Sequence, residues 1–173
     1  LGIVLNLSPV HAATDSAPDQ ASARLEDGRL VRWYMDPLFK GSYPQDVFEF
    51  LGGDAPRIEP GDMQVIATPM DFLGINYCSR HVISAAGPWD ARNSGRAVTD
   101  MGWEIYPEGL TELLLRLHRD YPVPPMYVTE NGGAFKDRVE DGRVRDPQRT
   151  DYIARHIGAV AEAMHKGVPM AGY

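Results

Sequence analysis

A single cysteine in 173 residues, Cys78, excludes an internal disulfide framework. It fits a reducing compartment, and a cytoplasmic location is the expectation. Basic residues are in deficit: 17 Lys and Arg against 24 Asp and Glu leave a net charge of -7. An acidic chain repels phosphate backbones, so nucleic acid is not an expected partner. No block of like charge forms a tail. The apolar opening, Leu1 to Leu7, is too short to cross a membrane, and no membrane partner is expected. It also lacks the initiating Met and the basic stretch of a signal peptide. It reads as a buried strand, and an opening in mid-strand without Met suggests that the natural N-terminus lies upstream. Neither Gly-x-Gly-x-x-Gly nor Gly-Lys-Ser/Thr occurs, which removes the common phosphate loops. The five histidines keep no metal-ligand spacing. No cofactor and no metal are expected.

What is present suits a globular domain. Apolar residues make up 43% and charged residues 24%, and 173 residues can bury one real core. Gly2 to Leu7 is continuously apolar, as parallel strands covered on both faces tend to be. Ser16 offers an N-cap with Pro18 just inside, and a helix is predicted to about Met35. Asp36-Pro37 is expected to stop it, because a residue before proline avoids the helical region. A shorter helix follows from Pro44 to Leu51, ended by Gly52-Gly53. Trp33 sits at core-like helical spacing and reads as structural.

Met70 to Tyr77 is a second strand. Residues 84–102 are polar, Gly-rich and without periodicity, and loops of that length are often functional. Pro107 to Asp120 is helical, with Leu110, Leu113, Leu114 and Leu117 on one face. Met126 to Glu130 is a third strand, ended by Asn131-Gly132-Gly133. Asp146 caps a last helix with Pro147 in its first turn. Ile153, Ile157, Val160, Ala161 and Met164 form its expected apolar stripe. Val168 to Tyr173 begins a fourth strand. Strictly alternating strands and helices predict a parallel sheet with crossover helices. The pattern alone does not separate a closed barrel from an open doubly wound sheet.

In a parallel barrel, chemistry sits at the carboxyl ends of strands. Asn6, Asn76 and Glu130 qualify by location. Alternation puts Met126, Val128 and Glu130 on one face. If the first two fill a barrel interior, Glu130 rises from that face into the mouth. The bland alternative is a solvated strand-end glutamate, or an anchor for a neighbouring Arg. Phe72, Gly74, Asn76 and Cys78 share a face, so Asn76 and Cys78 would point into the same mouth. Asn76 could donate to and accept from sugar hydroxyls, or simply cap loose backbone groups. Cys78 reads as a small buried hydrophobe rather than a reactive thiol. Trp103 and Trp89, in or beside the long loop, could stack on a sugar ring or merely pack the loop down.

At these residues the sequence resembles glycoside hydrolase family 1, the β-glucosidase family. Tyr127-Val-Thr-Glu-Asn-Gly132 is similar to the family's nucleophile motif. Asp71-Phe-Leu-Gly-Ile-Asn-Tyr77, Asp36-Pro-Leu-Phe39, Gly102-Trp103 and Tyr106-Pro-Glu-Gly-Leu110 resemble family segments in the family's order, as does the opening Gly2 to Leu7. The resemblance covers essentially the whole chain. It implies an α/β fold, a partial (β/α)8 TIM barrel holding roughly strands 5 to 7 plus the start of strand 8. Residues 1–173 would then be the C-terminal portion of one barrel domain. It also implies hydrolysis of β-linked glucosides or oligosaccharides with retention, as in cellulose degradation. Glu130 would be the nucleophile, Asn76 would contact the sugar, and Trp103 would line the leaving-group side.

Three departures matter. Where the family usually has Tyr-Tyr after Asn76, this chain has Tyr77-Cys78. The family's second tyrosine resembles a hydrogen-bond donor to the nucleophile, and a thiol is a shorter, weaker one. The Asn-Glu-Pro motif that bears the acid/base glutamate is absent. The chain also stops at Gly172-Tyr173, before a further sugar-binding segment. A retaining mechanism needs two carboxyls about 5–5.5 Å apart. Glu104, Glu108 and Glu112 all fall on the loop or helix side, before the third strand. The residues alone are therefore expected to be inactive, with open strand edges that pair with the missing N-terminal half or with another copy. A catalytically inactive sugar-binding or scaffold barrel is the competing reading.

Overall fold

The computed structural model describes residues 1–173. The chain opens with β1 (Gly2–Asn6), β2 (Val10–Ala12), α1 (Ala17–Asp27), α2 (Trp33–Lys40), α3 (Gln45–Leu51) and α4 (Asp62–Ile66). Then come β3 (Phe72–Tyr77), β4 (His81–Ile83), α5 (Pro107–Asp120) and β5 (Met126–Asn131). It closes with β6 (Val139–Glu140), β7 (Arg143–Val144), α6 (Pro147–His165) and β8 (Met170–Gly172). Strands β1, β3, β5 and β8 form one sheet in that order, and every neighbouring pair is parallel. These are the four predicted strands. No helix is long and apolar enough to cross a membrane.

Local signals place the helix starts. The Ser16 hydroxyl accepts from the Asp19 amide, and the Asp146 carboxylate accepts from the Arg149 amide. Leu110, Leu113, Leu114 and Leu117 of α5 are completely buried. They meet Leu73, Ile75 and Tyr77 of β3 and Met126 and Val128 of β5 in a single core.

Three expectations are overturned. The first helix does not stop at Asp36-Pro37. A wide π-turn, Gly28–Arg32, links α1 to α2, and Pro37 lies inside α2. Tertiary bonds outweigh the local bias here. Buried Asp36 accepts from the Tyr121 hydroxyl at 2.8 Å and pairs with Lys40, while Met35 is fully buried beside it. Trp33 is half-buried and packs on Tyr43 and Phe48 rather than in the main core.

The buried face of α6 is also not the predicted stripe. Tyr152, His156, Ala159, Val160 and Ala163 face inward, whereas Ile153, Ile157, Ala161 and Met164 are exposed. Two amphipathic rings, each with a polar atom served inside, replace the expected aliphatic residues.

The third correction concerns β5. Met126 and Val128 do not fill the inner face; they pack outward against the helices with Leu73 and Ile75. Tyr127 and Thr129 instead share the inner face with Val4 and Gly74. Regular alternation would then carry Glu130 outward. A register shift prevents this: Ile75 pairs with Val128, but Asn76 pairs with Glu130. The extra residue is a β-bulge, which re-aims the side chains after it. Thr129 and Glu130 therefore lie on the inner side in succession, and Asn131 returns to the outer side.

Gly74 makes room for this arrangement. A Cβ there would lie 2.7 Å from Val4 Cγ2 and 2.9 Å from Thr129 Cγ2. Both neighbours are β-branched and stiff. Gly74→Ala is expected to destabilise the fold by about 1–3 kcal/mol in denaturant unfolding, the usual cost of overpacking.

Candidate active site

Asn6, Asn76 and Glu130 end adjacent parallel strands, where sequence alone placed candidate chemistry. They line a cleft of about 1170 Å³ together with Cys78, Trp89 and Trp103. Both tryptophans are partly exposed, at 40% and 41%.

Asn76 is the link between the two strand ends. Its Nδ2 donates to Glu130 Oε2 at 3.1 Å, and its Oδ1 accepts from Thr129 Oγ1 at 2.8 Å. The Glu130 carboxylate, which can only accept, fixes the N–H end of the amide toward itself, and the Thr129 hydroxyl then donates to the oxygen end. The bulge makes this possible, because both of its residues flank Asn76. One N–H of Asn76 is left for another partner.

Cys78 lies on the cleft side of the loop after β3. Burial first, and then the Glu130 charge, push its thiol above the ordinary range. It stays protonated at neutral pH, which suits a weak donor and not a nucleophile.

Glu104 also reaches the cleft, and it carries out a different task. Its side chain is only 3% exposed and is gripped by Arg80, whose Nε and Nη2 donate at 2.6 and 3.1 Å. Arg96 Nε stands 3.6 Å away. Burial pushes the carboxyl up, but the Arg80 hydrogen bonds and the two guanidinium charges outweigh it, and the net shift is downward. A carboxylate held ionised this firmly does not deliver protons near neutrality.

Behind it, Arg80 Nη1 donates to His11 Nδ1 at 3.0 Å, so the His11 proton sits on Nε2 and is given to Glu112 at 3.0 Å. Tyr106 donates to the same carboxylate at 2.7 Å, with both guanidiniums against its ring. The pairing of β2 with β4 brings His11 and Arg80 together. Those two strands have three residues each, too few for a periodic signal. Arg80 and Glu104 are 24 positions apart, and nothing local ties them. No group of His, Cys, Asp and Glu has the geometry to hold a metal ion.

Comparison with known proteins bears on this cleft. Residues 1–173 match the model of Glycosyl hydrolase family 1. Beta-glucosidase A of Thermotoga maritima is 39% identical over 169 residues, covering 90% of this chain and 38% of that protein. The beta-glucosidase of an Agrobacterium species is 36% identical over 181 residues, with 100% of this chain and 39% of that protein covered. Among solved structures, a beta-glucosidase from Exiguobacterium marinum superposes with a TM-score of 0.91 at 40% identity. That match covers 99% of this chain and 41% of the other. A Thermotoga maritima family 1 glycoside hydrolase complexed with a cyclophellitol analogue transition state mimic gives a TM-score of 0.88 at 36% identity, covering 99% and 40%. The chain thus spans about two fifths of the length of the curated relatives it matches.

Proposed function

The chain belongs to glycosyl hydrolase family 1, and from that premise we propose that it supplies the nucleophile half of a retaining β-glycosidase site. The observation that carries the reading is the Glu130 carboxylate, ending a parallel strand in an open cleft and held by Asn76 at 3.1 Å. In this reading residues 1–173 are the C-terminal portion of one barrel, roughly its strands 5 to 7 and the start of strand 8. Its substrate is a small β-glucoside or oligosaccharide, and its location is cytoplasmic.

Glu130 attacks the anomeric carbon, and the bond from that carbon to the glycosidic oxygen breaks. The departing oxygen takes a proton from a second carboxyl. The same second group, now ionised, draws a proton from water, whose oxygen displaces Glu130 and restores the carboxylate. Asn76 offers its remaining N–H to the sugar, and Trp103 and Trp89 present flat apolar walls to it.

The second carboxyl is not found among these residues. Glu104 is pinned by Arg80, while Glu112 on α5 is engaged by His11 and Tyr106. A barrel's remaining strands must provide the acid, and the 173 residues alone are inactive. The inner sheet face and the outer edges of β1 and β8 are where the other half docks, or where copies associate in its absence.

The test is trapping with a 2-fluoro β-glucoside in a completed barrel, followed by peptide mapping. A glycosyl ester on Glu130 is expected. A barrel that binds glucosides without any label would be a sugar-binding scaffold instead.

Cys78 gives a second measurement. In the family resemblance a tyrosine stands there, and a phenol is a stronger donor than a thiol. Cys78→Tyr is expected to raise the rate of Glu130 labelling roughly tenfold, the worth of one hydrogen bond to a charged group. An unchanged or slower rate would show that the thiol is not the weak point.

A further inference from the structure

We infer that Tyr152, on α6, is a positioning residue for the Asn76–Glu130 pair, an inference that rests on the reading of Glu130 as nucleophile. The side chain is 1% exposed and lies behind the two strand ends. Its hydroxyl donates to the Cys78 carbonyl at 3.1 Å, two residues beyond Asn76. The same oxygen accepts from Asn131 Nδ2 at 3.3 Å, one residue beyond Glu130. Asn131 Nδ2 also donates to the Tyr77 carbonyl at 2.7 Å. One phenol and one amide therefore tie the end of β3 to the end of β5. They do so immediately after the bulge, where the regular ladder between these strands is interrupted.

The phenol is itself held in place. Its ring stacks on His156 at 3.9 Å between centroids and meets Phe135 edge-on at 6.0 Å. His156 Nδ1 faces the Tyr152 carbonyl at 2.7 Å, and a carbonyl can only accept, so the proton sits on Nδ1. His156 Nε2 is buried without a partner. Burial, chiefly, lowers the affinity of this ring for a second proton. A neutral, fully enclosed imidazole is thus a flat platform for Tyr152. No atom of Tyr152 bonds to Glu130 or Asn76. It acts through the backbone of Cys78 and the side chain of Asn131.

The experiment compares Tyr152→Phe with Thr111→Val in a completed barrel. Thr111 Oγ1 donates to the Ala159 carbonyl between α5 and α6 at 3.0 Å, so its loss also removes one buried hydrogen bond, but one that involves no residue of β3 or β5. Tyr152→Phe keeps the stacked ring and is expected to lower kcat roughly 10–100-fold, with KM changed less than about threefold, as small misplacements of a nucleophile do. Thr111→Val lowers the melting temperature without lowering kcat. Asn131→Ala mimics Tyr152→Phe, and the double variant falls no further than either single one. The Glu130 carboxyl carbon resonance, assigned by its loss in Glu130→Gln, moves in Tyr152→Phe and stays in Thr111→Val. A kcat within twofold of wild type, an equal fall in both variants, or an unmoved resonance overturns the inference. If wild type neither turns over nor is labelled, the nucleophile reading fails, and the resonance still decides whether Tyr152 places Glu130.

Discussion

Glu130→Gln in a completed barrel is expected to lower kcat on an aryl β-glucoside by roughly 10⁵-fold, the scale seen when a covalent nucleophile is removed. The change is nearly isosteric. The Gln carbonyl oxygen can still accept from Asn76 Nδ2, which reaches the Glu130 carboxylate at 3.1 Å in the native chain. The carboxylate lies exposed in the cleft and holds no buried ion pair, so stability moves little. What disappears is an anionic oxygen able to bond to the anomeric carbon. Binding of an unreactive glucoside analogue should survive, because Asn76 and the two tryptophans remain. The expected pattern is a collapsed kcat, near-native analogue binding and no 2-fluoro glycoside label. Activity within about tenfold of wild type would remove Glu130 from the mechanism.

Arg80→Met is expected to cost about 3–5 kcal/mol in unfolding free energy, the range for removing one partner of a buried ion pair. Arg80 grips both Glu104 oxygens, and Arg96 at 3.6 Å makes only a partial substitute. The same change frees His11 Nδ1 and uncovers one side of the Tyr106 ring. Adding Glu104→Gln should recover part of the loss, because a neutral amide is cheaper to leave without its cation. The effect carries a pH signature. The folded chain holds Glu104 below its ordinary value. Its contribution is therefore complete above the usual glutamate range, about 4.3, and drains away as pH falls through the lower folded value. Wild type and Arg80→Met should differ most near neutrality and converge in acid. A constant gap down to the acid limit would mean that lost packing, not charge, sets the cost. Trp103 precedes Glu104, so the variant should also weaken substrate binding by loosening the loop.

The sequence was informative wherever the determining signal is local. Ser16 and Asp146 each cap a helix within a few residues, and the leucines of α5 repeat at three and four. The order of strands follows from their alternation with helices. Position 130 was legible because a carboxylate at the end of an apolar strand stands out. The losses share one cause, which is that distant partners decided the outcome. Pro37 stays helical because Tyr121 and Lys40 engage Asp36. Ile153 and Ile157 face outward because Tyr152 and His156 take the interior, where the Tyr152 hydroxyl meets the Cys78 carbonyl and His156 Nδ1 meets the Tyr152 carbonyl. The Arg80–Glu104 clamp joins two loops through β4 and its pairing with β2. Simple alternation turns Glu130 inward only if Met126 and Val128 fill the interior; they pack outward, and the irregular pairing at Thr129 that re-aims Glu130 leaves no trace in composition.

That single surplus residue separates two demands on one short strand. Upstream of it, the even-numbered positions must be greasy enough to bed against α5 and α6. Downstream, an even-numbered position must be ionic and wet. A perfectly periodic strand would force both onto one side, so any change favouring the hydrophobic layer would bury the acid. Deleting Thr129 would make the pairing regular, Ile75 with Val128 and Asn76 with Glu130, leaving the carboxylate on the cleft side but stripping Asn76 of its hydroxyl partner. Met126 and Val128 can therefore be exchanged for apolar residues of similar volume without moving the carboxylate off the cleft side.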